Sequence, residues 1–278
     1  MTPSILRTLA LAAALPLSAG FAAAACAADV TPPDSLVNDG QLTYGVAATF
    51  APFEYQQDGK LVGFDIELGQ LIADRMGLEV NPFNVDFKGL IPALQGKRID
   101  IINSAMYIND ERAERVDFVP YLWVGNEVIV RKGNPADVAG RGEICDHTVA
   151  VTLGGISETQ ARGDAERCES SGEGEVNVMT FPSAQVAAMA VRRGRADAFY
   201  DSTPGAAHLL KTLPNVYEIV GDTFEANTQL GIAVRKGDDA MKTAIQEALV
   251  QIAASGDYEA LLEKYKLPHS AALLLKDD

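Results

Sequence analysis

Apolar positions along this chain follow two periods in turn. Short runs rich in β-branched side chains alternate with stretches in which apolar residues recur every third or fourth position, the pattern of an α/β fold with mainly parallel strands. The run Leu42 to Val46 predicts the first strand. Phe64, Leu68, Leu71, Ile72 and Met76 then share one helix face, and Gly77 stands where a left-handed residue would end that helix. Leu90, Ile91 and Leu94 stripe a second helix, followed by a strand over Ile99 to Ile102. A second set of strands is predicted at Val128 to Val130, Thr148 to Val151, Val176 to Val178 and Ala196 to Tyr200, with helical segments between them such as Ser157 to Ala165. Gly231 to Val234 reads as another strand. Met241, Ala244, Ile245, Ala248, Leu249 and Ile252 then lie on one face of a C-terminal helix, with a further helical turn at Tyr258 to Tyr265. These stripes predict core and carry no functional claim. No internal repeat or low-complexity linker interrupts them, which disfavours beads on a string.

The N-terminus changes the picture by assigning an address. Arg7 precedes an Ala/Leu-rich stretch from Leu9, and small residues continue to Ala28, as in a secretory signal peptide. Pro16, Ser18 and Gly20 interrupt the stretch and argue against a membrane-spanning anchor. Cleavage after Ala25-Cys26-Ala27 would remove residues 1–27 and release the chain to the periplasm. The alternative is lipid anchoring through Cys26, against which Ala23-Ala24-Ala25 lacks the usual Leu three positions earlier. The signal carries one charge, Arg7, so its loss moves the formal charge from −15 to −16. Such a surface repels nucleic acid and anionic lipid.

Three blocks carry a family resemblance: PFEYQQDGKLVGFDIELGQLIADRMG (Pro52 to Gly77), VDFKGLIPALQGKRID (Val85 to Asp100) and NSAMYINDERAERVDFVP (Asn103 to Pro120). They resemble the amino-acid-type (family 3) periplasmic solute-binding proteins of bacterial ABC importers and span most of one lobe. The resemblance implies a two-lobe, type II periplasmic-binding-protein fold whose chain crosses twice, near 121–125 and 224–229. Residues 36–121 plus 229–278 would form lobe 1, and 126–224 lobe 2. Two crossings make a hinge that permits closure, and ligand should lie between the lobes beyond the carboxyl ends of the strands. The implied protein is a monomeric receptor without cofactor. It would capture an amino acid or related small carboxylate and present it to a membrane permease.

The same resemblance assigns residues. Arg112 matches a carboxylate anchor, a role that suits the planar fork of arginine donors; the alternative is a surface ion pair with Asp110 or Glu111. Ser104, Ala105, Met106 and Tyr107 match the pocket-lining turn, with Ser104 as hydroxyl partner and Tyr107 standing where the family has Ser or Thr. Phe50 and Phe87 match two aromatic positions that sandwich the ligand, whereas Trp123 reads as packing. In TLGGISE (Thr152 to Glu158), the amides near Gly155 and Ile156 would open a helix toward the cleft and favour an anion.

The ammonium partners depart from the pattern, since Ala47 and Ser202 occupy the positions where the family places acidic side chains. Asp201 is adjacent, but successive strand residues face opposite ways, so it reaches the ligand only if the strand end is irregular. This implies weak selection for a free α-amino group. The alternative is an ordinary amino-acid receptor in which Asp201, Glu54 or Asp86 takes the ammonium.

An exporting signal also favours bridging of cysteines. Cys145 and Cys168 flank a predicted strand and helix, and the family often has a pair in equivalent places; two unpaired thiols are the alternative.

The competing function is an enzyme on the same scaffold, since the chain also resembles periplasmic cyclohexadienyl dehydratases at fold level. An enzyme needs a positioned general acid. Glu54, Glu158 and Asp201 are conceivable, yet each reads more simply as a surface or capping carboxylate. His147, His208 and His269 are far apart and form no zinc motif, and no Gly-rich phosphate loop is present. A binding protein without catalytic or metal residues is the expectation.

Overall fold

The structure is a computed structural model and describes residues 29–275. The signal peptide, its cleavage site and Cys26 lie outside the described residues. Strand β1 (Gln41–Val46) leads into a small meander of β2 (Thr49–Phe50), β3 (Glu54–Gln57) and β4 (Lys60–Val62). Helix α1 (Phe64–Arg75) follows and buries Phe64, Leu68 and Ile72. Gly63 at its entry has φ 136°, and a Cβ there would collide with the Phe53 carbonyl, so only glycine fits. Gly77, at φ 65°, turns the chain just beyond the helix as the sequence predicts.

Next come β5 (Glu79–Asn84), α2 (Leu90–Gln95), β6 (Ile101–Ile102) and the single turn α3 (Asp110–Ala113). Strand β7 (Val116–Arg131) carries the chain onward to β8 (Thr148–Thr152), α4 (Ile156–Ser171), β9 (Asn177–Phe181), α5 (Ala184–Arg192), β10 (Ala198–Ser202) and α6 (Thr203–Thr212). Strand β11 (Tyr217–Arg235) returns it, and α7 (Asp239–Ala254) and α8 (Asp257–Tyr265) finish the chain. Ser183, Ser202 and Asp238 cap α5, α6 and α7 by accepting amides of the first turn.

One sheet runs through the molecule in the order β5-β1-β6-β11-β7-β10-β8-β9. The strands on each side are parallel, β1 with β5 and β6, and β8 with β9 and β10. Between them β7 and β11 form an antiparallel pair of 16 and 19 residues. Tyr121 to Gly125 and Phe224 to Gln229, the stretches that the resemblance gives as crossings, lie within these two long strands. Register shifts between Val220 and Phe224, and again between Phe224 and Thr228, interrupt the pairing there. Backbone ladder bonds carry a strand through the polar run Asp222 to Gln229, which hydrophobic periodicity cannot register.

Apolar side chains gather on both sides of this crossing. Tyr44, Phe53, Phe64, Leu68, Tyr121, Leu230 and Tyr258 belong to one buried group, and Val128, Val149, Val151, Ala161, Cys168 and Tyr200 to another. Cys145 and Cys168 are joined by a disulfide that ties the start of the second unit to α4.

Candidate functional site

The cleft between the two lobes holds an inner cavity. From the first lobe come Ala47, Thr49, Phe50, Phe87, Ala105 and Tyr107; from the second, Asn126, Thr152, Gly155, Ile156, Ser157, Ala184, Tyr200, Asp201 and Ser202. An adjoining outer cavity is lined by Lys88, Met106, Arg112, Arg115, Gly154, Glu158 and Arg162 among others. Phe87 and Gly155 line both, so they form the partition.

Arg112 stands at that partition, on the outer side. Asn109 caps α3 by accepting the Arg112 amide, which fixes the direction of the side chain. The guanidinium is buried, lies 5.3 Å over the Phe87 ring, and donates to the Tyr107 carbonyl at 2.7 Å and, across the cleft, to the Gly154 carbonyl at 3.0 Å. Desolvation lowers its pKa to about 10, which leaves it charged at neutral pH. The surface ion pair with Asp110 or Glu111 is not what the structure places there.

The turn after β6 is held from beneath. Ala105 has φ 38°, a strained value for a residue with a Cβ, and Asp65 Oδ2 accepts its amide at 2.6 Å. That twist lets Ala105 and Tyr107 face the cavity while Ser104 and Met106 do not. Ser104 was expected to contact ligand, but it is fully buried: its hydroxyl accepts from Ala47 N at 3.0 Å and donates to Glu54 Oε1 at 2.8 Å. Met106 packs with Leu90 and Ile91 and reaches only the outer cavity. Glu54, read as a surface or capping group, is wholly buried behind Ser104, and Asp86 is exposed and does not line the cavity.

On the opposite wall both Asp201 and Ser202 line the cavity. Alternation along a strand would separate them, but β10 ends at Ser202, which accepts the Gly205 amide at 3.0 Å and starts α6. Asp201 Oδ1 accepts the Ser202 amide at 2.7 Å, and a Cβ at Gly205 would sit 2.6 Å from the same oxygen, so glycine is what lets the carboxylate lie against the helix start. Burial pushes the Asp201 pKa up to about 7, with the Ser202 amide opposing. An acidic side chain therefore stands on the cavity wall at the irregular strand end that the Asp201 alternative required. Asp201 is the only acidic side chain among the residues lining the inner cavity.

Gly155 caps α4, and the amides of Ile156 and Ser157 open that helix on the cavity wall without intrahelical acceptors. The Gly154 amide is taken by Glu158 at 2.8 Å, and Glu158 also pairs with Arg162, so neither of these groups is a spare acid.

A model of bacterial extracellular solute-binding proteins, family 3, matches residues 42–268. The chain belongs to this family. It is 30% identical over 228 residues to the L-cystine-binding protein TcyJ of Escherichia coli, covering 81% of this chain and 82% of that one. An ancestral arginine-binding protein bound to arginine superposes with TM-score 0.76 at 36% identity, covering 81% of this chain and 98% of that chain. An ancestral amino acid-binding protein, a precursor of cyclohexadienyl dehydratase, superposes with TM-score 0.72 at 32% identity over 81% of this chain and 95% of that chain. The named relatives are binding proteins, and this family 3 protein is a solute-binding protein rather than an enzyme.

Several cavity residues of this family 3 protein escaped the sequence reading: Thr49, Asn126, Thr152, Ser157, Ala184 and Tyr200. Asn126 carried a usable signal, since with Glu127 it forms a polar pair just before the apolar run Val128 to Val130. The others belong to elements whose facing side cannot be known before the lobes are brought together. Among the described residues no helix is long and apolar enough to cross a membrane, and no group of His, Cys, Asp and Glu is arranged to hold a metal.

Proposed function

We propose that this protein captures a free amino acid between its lobes and presents the closed form to the permease of an ABC importer, acting as a monomer in the periplasm. The observation that carries this reading is the placement of opposite charges along one cleft, with Arg112 at the partition beside Phe87 and Gly155 and Asp201 on the inner cavity wall. A zwitterion presents the complementary pair of charges, its carboxylate toward Arg112 and the α4 amides and its ammonium toward Asp201. Phe50 and Phe87 offer apolar faces to the side chain between them. Relatives named for arginine, cystine and histidine binding support the amino-acid class.

We further propose lobe 1 as residues 36–121 plus 229–278 and lobe 2 as 126–224, hinged where β7 and β11 change register. The contacts that bridge the cleft support a closing motion. Arg112 reaches Gly154, and Tyr55 lies against His208 with ring centroids 5.7 Å apart. Export by the N-terminal signal belongs to the same proposal.

The test is a thermal-shift panel of the common amino acids beside their 2-oxo and N-acetyl counterparts, because a ligand that binds only the folded state raises Tm. Free amino acids should stabilise, and counterparts lacking the ammonium should not. Equal stabilisation by the 2-oxo acids would restore the relaxed-ammonium reading.

A further inference from the structure

Asn126 is 1% exposed, lines the cavity, and holds a side-chain amide nitrogen that is buried without any hydrogen-bond partner. Its orientation is set by a one-bond relay across the cleft, in which the Tyr107 hydroxyl donates to Asn126 Oδ1 at 3.0 Å. That bond turns Oδ1 toward Tyr107 and leaves both Nδ2 protons on the other side.

A buried donor without an acceptor is costly, and native structures rarely keep one without a use. We infer that Asn126 reads the ligand's side chain: Nδ2 donates to a side-chain oxygen, and the cleft selects neutral amino acids that carry such an acceptor, the carboxamides foremost. This assignment rests on the proposed amino-acid function. The charge inventory of the inner cavity points the same way. Asp201, its one acidic side chain, is engaged by the α-ammonium, so a cationic side chain would find no second acid there. Arg112, at the partition, is engaged by the α-carboxylate, and no other basic side chain lines the inner cavity to receive an anionic one. Tyr107, where relatives in the resemblance have a small hydroxyl residue, becomes a positioning residue for Asn126.

The experiment is titration calorimetry on the mature protein with near-isosteric ligand pairs, glutamine beside methionine and asparagine beside leucine. The wild type should favour the carboxamide of each pair. Asn126→Ala should weaken the carboxamide about three- to tenfold, the range of one neutral hydrogen bond, and leave its apolar partner unchanged. Tyr107→Phe keeps the ring, cuts the relay, and should shrink the same preference without the packing defect of an alanine, which covers the case of a poorly folded Asn126→Ala. Equal effects on both members of a pair, or none, overturn the assignment. Arg112→Ala and Asp201→Asn report on the wider reading, because they should weaken both members alike. If the wild type captures no amino acid at all, the amino-acid reading itself falls, and this one with it.

Discussion

Glu54 and Asp65 are two wholly buried carboxyl groups that meet beneath the binding turn. Asp65 accepts the Ala105 amide and the Tyr121 hydroxyl, and Glu54 Oε1 accepts the Ser104 hydroxyl. Glu54 Oε2 meets no N–H or O–H donor, and burial together with the charge on Asp65 holds the Glu54 pKa well above the carboxylate range. Burial and mutual repulsion therefore make this pair hold on to protons more tightly than exposed carboxyl groups would. Through Ser104 and Ala105 this pair sets the positions of Ala47, Ala105 and Tyr107 on the cavity wall.

Stability should fall across a defined window because of this pair. Burial raises the folded-state pKa of Asp65 to about 6, above its value in an unfolded chain near 4. Protonated Asp65 thus stabilises the fold fully below about pH 4, and that contribution is lost as pH rises to about 6, on the order of 3 kcal/mol. Asp65→Asn removes the titrating carboxyl and should flatten this part of the profile. Melting curves from pH 4 to 8 check it; superimposable profiles for wild type and variant would show that the pair does not govern the window.

Ligand affinity should depend on pH through Asp201. Its pKa of about 7 means that below neutrality an arriving ammonium must displace a proton. Affinity should weaken about tenfold for each pH unit below that value and level off above it. Asp201→Asn should bind weakly with a flat profile. Calorimetry between pH 5 and 8 measures both, and a wild-type affinity that stays constant over that span would remove Asp201 from the site.

Arg112→Ala should abolish capture while leaving the fold intact, since removing one member of a buried charge pair costs roughly 2 to 5 kcal/mol of binding. Arg112→Lys keeps the charge without the planar fork and should recover only part of the affinity. Circular dichroism beside calorimetry separates binding from folding. Near-native affinity in the alanine variant would reassign the anchor to the α4 amides.

Breaking the Cys145–Cys168 bridge should destabilise the second lobe by about 3 kcal/mol on the chain-entropy scale. A double Cys145→Ala, Cys168→Ala protein should melt earlier and still bind ligand when cold. Unchanged melting would show that the packing around buried Cys168 suffices alone.

Some of this protein is written in short windows of its chain. The α1 stripe, the Gly77 stop, the strands β1 and β8 and the α7 face are legible because each depends on residues a few positions apart, repeated at the period of the element. Arg112 was legible for a different reason: its neighbours form a local motif, and Asn109 caps the turn that aims it.

Ser104 shows where that legibility stops. Its motif places it in a binding turn, yet its hydroxyl is claimed by Glu54, 50 positions away, and by Ala47, 57 positions away. Asp201 differs again: the sequence left it conditional on an irregular strand end, and it lines the cavity because the strand ends one residue later at a helix cap.

By itself, then, the sequence determined the elements, the α/β class and the family, all of which follow from periodicity and contiguous motifs. Only the tertiary structure decided which side chains line the cleft, that Asp201 stands on its wall, that Glu54 and Asp65 are buried, and that Tyr107 hydrogen-bonds Asn126. Those outcomes depend on side chains from both lobes meeting in one desolvated space, where burial shifts pKa values and leaves a polar atom either paired or orphaned, and no local stretch of chain encodes that.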